Sequence, residues 1–147
     1  MPFYKHRVKA GHVGKGNYNT LVIYNYAEGL FQAIKDVKRF PMVKHYGVGT
    51  VMDSRIVDEI DFVVGVVQNA YSRLNWEQNV TTLDKIDRIL LNMPGYEFQT
   101  DEGKSLVAFR DTYNNASAKV KPMIENEYKQ WAQDLIAKHT DNQGFGF

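Results

Sequence analysis

Met52, Ile56, Ile60, Val63, Val67, Ala70 and Leu74 recur at spacings of four or three residues. That period puts one apolar stripe along a helix, and no other stretch of the chain limits the fold so tightly. Val57, Val64 and Tyr71 form a second apolar strip beside the first. A helix apolar on more than one face must be central in its domain or share a face with another subunit. The spacing therefore predicts one long helix over 52–74, with Val57, Val64 and Tyr71 as candidates for an oligomer interface.

The same spacing organises the remainder. Ile23, Ala27, Leu30, Ile34 and Val37 predict a first helix from Asn19 or Thr20, ended by Phe40-Pro41 because the residue before proline is driven out of the α region. Leu83, Ile86, Leu90 and Met93 predict a third helix, stopped by Pro94-Gly95. Leu106, Phe109, Tyr113, Ala116 and Val120 predict a fourth, which Pro122 breaks or restarts. Met123, Ile124, Tyr128, Trp131 and Leu135 extend the stripe to about Lys138. The expected fold is all-α, an antiparallel four-helix bundle over 20–139 with a proline-broken or extended last helix. A short basic N-terminal arm over 1–19 precedes it; within it Tyr4, His6 and Val8 alternate with Lys5, Arg7 and Lys9, which allows a short strand or an extended segment. A flexible tail over 140–147 follows.

At 147 residues the chain suits one domain and buries roughly two-thirds of its unfolded surface without staples. It has no cysteine, so disulfides, thiolate metal sites and cysteine nucleophiles are excluded. No apolar leader and no run long enough to span a membrane is visible, and a soluble, cytoplasmic protein is expected.

Catalytic signals are weak. The fragment Gly11-His12-Val13-Gly14-Lys15-Gly16 lacks the spacing and the hydroxyl residue of a phosphate loop. His6, His12, His45 and His139 have no ligand partner at three or four residues, so no metal site is expected. Asp58, Glu59 and Asp61 read as a solvated acidic face. No Gly-x-Ser-x-Gly elbow occurs. The expectation is a non-enzyme without cofactors.

Charge is more informative. The net charge of +1 hides a basic N-terminus: residues 1–27 hold Lys5, Arg7, Lys9 and Lys15 and no acid, leaving 14 basic residues against all 17 acidic ones. Lys35, Lys38, Arg39, Lys44 and His45 lie within eleven residues around the Phe40-Pro41 turn, and Arg55 follows. A hairpin of the first two helices would gather them at one end of a bundle, where they suit phosphate contacts. Helix-dipole complementation by Lys35, Lys38 and Arg39 is the plainer alternative.

Phe40-Pro41, Lys44 and Tyr46-Gly47-Val48-Gly49 leading into a long helix resemble the Avd-like four-helix bundle family. That family comprises the accessory variability determinants of diversity-generating retroelements and the 23S rRNA intervening-sequence proteins. The resemblance spans roughly residues 20–125. It implies a homo-oligomeric barrel, a pentamer, that binds RNA and a reverse transcriptase in support of mutagenic complementary-DNA synthesis. An alternative is a structural subunit of a phage or mobile element, acting through protein–protein contacts.

Overall fold

The computed structural model describes residues 2–10, 19–40, 43, 49–72 and 81–143, with backbone only at 10, 19, 71, 72 and 140–143. The fold is mixed α/β, and the all-α four-helix bundle expected from the spacing is incorrect. Among the described residues three strands and five helices fall into two compact units, one holding those up to Asp58 and the other running Glu59–Gln143.

Among the described residues the first unit is a three-stranded antiparallel sheet with one helix. Strand β1 (Phe3–Ala10) lies between β2 (Asn19–Tyr26) and β3 (Val51–Val57), giving the order β2-β1-β3. Helix α1 (Leu30–Val37) connects the second strand to the third in sequence. The registers Tyr4↔Asn25, His6↔Ile23 and Val8↔Leu21 fix which side chains share a face. That face carries α1: Val8, Ile23, Val37 and Val43 form one buried cluster, and Tyr4, Ala27 and Ala33 another.

Two features explain why helices were expected here. In β2 the sequence Leu21-Val22-Ile23-Tyr24 is apolar on both faces, so no alternation betrays a strand; its β-branched and aromatic content suits one. The spacing from Ile23 to Val37 straddles the end of β2, the Ala27–Gly29 connection and α1. Leu30, which should be buried on a helix of that length, is exposed. Likewise Met52 and Ile56 belong to β3, and the helix expected over 52–74 begins only at Glu59. Within the expected basic arm, where the alternation allowed a short strand or an extended segment, Phe3–Ala10 form β1, the central strand of the sheet.

The second unit is helical: α2 (Glu59–Ser72), α3 (Thr82–Leu91), α4 (Asp101–Asn115) and α5 (Lys121–Gln143) pack on one another. From Phe62 to Val67 every residue of α2 is buried, as befits a central helix. Pro122 stands in the first turn of α5, where its missing N–H costs nothing.

Helix starts are held by side chains. Thr81 and Asp84 form a reciprocal capping box on α3. The buried Glu125 of α5 reaches the same turn, accepting from Thr82 N–H at 3.0 Å, from Leu83 N–H at 3.4 Å and from the Thr82 hydroxyl. Glu59 does the equivalent for α4. It accepts from Thr100 N–H at 2.7 Å, from Gln99 N–H at 3.0 Å, and from the Thr100 and Tyr96 hydroxyls. Glu59 thus has a structural place that its reading as part of a solvated acidic face did not foresee.

Candidate nucleic-acid interface

Side chains alternate along a strand, so β1 sends Phe3, Lys5, Arg7 and Lys9 to the face opposite α1. Across β2 the same face receives Tyr26, Tyr24, Val22 and Thr20; across β3 it receives Val57, Arg55 and Asp53. Four cations therefore share one sheet face with a single carboxylate among the described residues. They are interleaved with aromatic rings.

The floor of this face is tightly made. Phe3 and Tyr26 place their ring centroids 5.2 Å apart, and Lys5 Nζ lies 5.9 Å from the centroid of Tyr24. Such a cation over a ring is held by the ring's quadrupole. Lys5 is only 6% exposed, so it sets charge beneath the surface instead of reaching a ligand. Arg7 and Lys9 are half-buried and Arg55 is exposed. Alternate residues of a strand stand about 7 Å apart. Arg7 and Lys9 thus make a short cationic row, and Arg55, whose register partner is Lys5, widens it across the sheet.

The structure brings together Lys5, Arg7, Lys9 and Arg55, which the sequence had assigned to two separate clusters. It does not bring Lys35, Lys38 and Arg39 to them. Lys35 lies in the last turn of α1, Lys38 caps its end and Arg39 follows; all three are exposed, on the element that covers the other face of the sheet. There they complement the helix dipole. Lys15, Lys44 and His45 lie outside the described residues. Of the expected interface residues, Val57 ends β3, Val64 is wholly buried within the chain, and the Tyr71 side chain lies outside the described set.

No match to this chain is found among family models, curated proteins or solved structures.

On the α1 face sits a polar network that sequence reasoning missed. Ser54 Oγ donates to His6 Nδ1 at 2.7 Å, His6 Nε2 donates to Asn25 Oδ1 at 2.8 Å, and Asn25 Nδ2 donates to the Ala33 carbonyl at 3.0 Å. The last bond orients the Asn25 amide, and that orientation fixes the proton of the imidazole on Nε2. Burial holds the His6 pKa below its ordinary value, opposed by the bond to Asn25. Serine, histidine and an amide are the residue types of a nucleophilic relay. Here, however, the ring is 0% exposed and both of its nitrogens are occupied, so no reacting atom reaches it. The network ties β1, β2, β3 and α1 together. The only sequence signal for it was the inward position of His6 between Tyr4 and Val8.

Among the described residues no group of three or more histidines or carboxylates could hold a metal ion. No described helix is long and apolar enough to cross a membrane.

Proposed function

We propose that the chain binds single-stranded nucleic acid, RNA above all, on the sheet face built from β1, β2 and β3, without catalysing a reaction. The observation that carries this reading is the row Arg7–Lys9 with Arg55 beside it, set among Phe3, Tyr24 and Tyr26. Cations supply the salt-dependent affinity for phosphates. The half-buried Tyr26, backed by Phe3, offers a ring on which an unpaired base stacks. Only an unpaired strand exposes its bases for such stacking, which favours a single strand over a duplex. A chain without cysteine suits the reducing cytoplasm where such a partner is met.

The reverse transcriptase and the pentameric barrel entered through resemblance to an all-helical family. Among the described residues the first unit of this chain is a sheet with one helix, and neither expectation carries over to it.

Fluorescence anisotropy with a labelled single-stranded RNA and its duplex tests the reading. Binding should favour the single strand, and Lys9→Glu combined with Arg55→Glu should weaken it at least tenfold with the fold retained. Equal affinity of the variant and the unaltered chain would remove the sheet face from the site.

A further inference from the structure

Strand β3 is one edge of the sheet, and among the described residues it pairs only with β1. An edge strand presents a row of backbone donors and acceptors that another strand can take up. Two large apolar side chains on it are left open to water, Ile56 at 65% exposed and Met52 at 38%. Between them lie Asp53, Ser54 and Arg55, of which both charged residues are exposed. Ser54 N–H donates to the carboxylate of its own neighbour, Asp53 Oδ1, at 3.1 Å. That local contact can give way to a ladder bond.

The order Met-Asp-Ser-Arg-Ile is complementary to itself when read in reverse. In an antiparallel pair of two copies centred on Ser54, Asp53 faces Arg55 of the other copy, a contact that occurs twice, and the exposed Ile56 of each copy comes to the end of the strand that carries Met52 of the other. The charges also reject the alternatives. Centring the pair on residue 53 sets Asp53 against Asp53, and centring it on 55 sets Arg55 against Arg55. A parallel pair in register sets both like charges together. Directly opposed opposite charges stabilise a strand pair and like charges destabilise it, so the strand specifies one orientation and one register. Ser54, at the axis, turns its hydroxyl inward to His6 and brings no bulk to the contact. The irregularity opposite Arg7 and Val8 falls at Met52 itself, which has no register partner on β1 between Asp53, the partner of Arg7, and Val51, the partner of Val8; the regular ladder therefore ends at Asp53, and beyond the irregularity Val51 turns in to pack against the core.

We infer that two copies of this chain join through β3, edge to edge and antiparallel about Ser54, in a two-fold dimer with one continuous six-stranded sheet. The order becomes β2-β1-β3-β3-β1-β2. The axis is perpendicular to the sheet, so both faces that carry Lys9 and Arg55 point the same way. A five-residue contact is short, and the dimer is accordingly concentration-dependent. This inference stands whether or not the chain binds RNA.

Sedimentation of nucleic-acid-free protein over a dilution series is the test. The unaltered chain should reversibly dimerise. Asp53→Arg places Arg opposite Arg twice, and Arg55→Asp places Asp opposite Asp twice; each alone should weaken the dimer about tenfold or more. Mixing the two variants restores both opposite-charge pairs, so a heterodimer should form where neither homodimer does. A chain carrying both changes should dimerise like the original. If either single variant loses its far-ultraviolet circular dichroism, Ile56→Lys takes its place and should likewise weaken the dimer. A monomer at every concentration, single variants or Ile56→Lys dimerising as well as the unaltered chain, or a mixture that stays monomeric would each overturn the inference.

Discussion

Ser54 and His6 face each other across the β1–β3 pair and share a hydrogen bond of 2.7 Å between Oγ and Nδ1. The bond draws a polar side chain of an edge strand into the middle of the sheet. It leaves the imidazole neutral, because its one ring proton is already given to Asn25. Because burial depresses the pKa of His6, the unfolded chain takes up a proton at about pH 6.5 while the native imidazole does not. The stability of the first unit is therefore full above that pH and falls as pH drops from 6.5 toward the lower native value. Amide hydrogen exchange of β1 should show protection decreasing between about pH 7.5 and about pH 5.5. His6→Asn should be less stable at neutral pH and should lose the pH dependence; a dependence that survives in this variant would assign it to another group.

Glu59 predicts a second, separate acid response. Burial raises its pKa, but the bonds from Thr100 Oγ, Tyr96 OH and the amides of Gln99 and Thr100 outweigh burial and leave the carboxyl below its ordinary value of 4.5. Its contribution is thus complete above pH 4.5 and is lost as pH falls through the lower native value. Glu59→Gln should destabilise the helical unit by about 1 kcal/mol at neutral pH, measured by chemical denaturation. No change would show that Thr100 alone caps α4.

Removing Glu125 should cost more, about 2 kcal/mol for Glu125→Ala, because it strands the amides of Thr82 and Leu83 at a buried helix start. A loss well under 1 kcal/mol in the same denaturation experiment would mean that the Thr81–Asp84 box suffices.

Tyr128 makes the opposite prediction. It is wholly buried, with its ring between Phe109 and Trp131 at centroid distances of 5.7 and 5.8 Å. Among the described residues its hydroxyl has no hydrogen-bond partner. Burial, and then the charge of Glu125, push its pKa far above the ordinary tyrosine value, so it stays protonated. Tyr128→Phe removes an unsatisfied polar group and keeps the ring, and should stabilise the helical unit by about 1 kcal/mol. A lower melting temperature for the variant would contradict this account.

The helices after residue 80 were legible because they bury one stripe and show the other to water, although α4 ends at Asn115 and Val120 and Met123, expected on that stripe, are exposed. Leu83, Ile86 and Leu90 in α3, and Leu106 and Tyr113 in α4, are buried where their spacing placed them. The first 57 residues were not legible by the same test. There β2 is apolar on both faces, and chance spacings join strand residues to helix residues. Within this stretch Tyr4, His6 and Val8 alternating with Lys5, Arg7 and Lys9 was the true signal, and it was the signature of a central strand. The candidate site was half visible. Its cations were named from charge alone, but only the pairing of β1 with β3 puts Arg55 beside Lys5, at a sequence distance no local pattern reports. The packing of α1 on the other face separates Lys35, Lys38 and Arg39 from them.

The most direct test of the central claim is the salt dependence of RNA binding. With Arg7, Lys9 and Arg55 as the phosphate contacts, the logarithm of the association constant for a single strand should fall with the logarithm of salt concentration at a slope of about −2. Lys9→Glu with Arg55→Glu should flatten that slope to roughly −0.7 or abolish binding. A chain that binds no RNA at low salt, or a variant whose slope matches that of the unaltered chain, would show that the sheet face is not a nucleic-acid site.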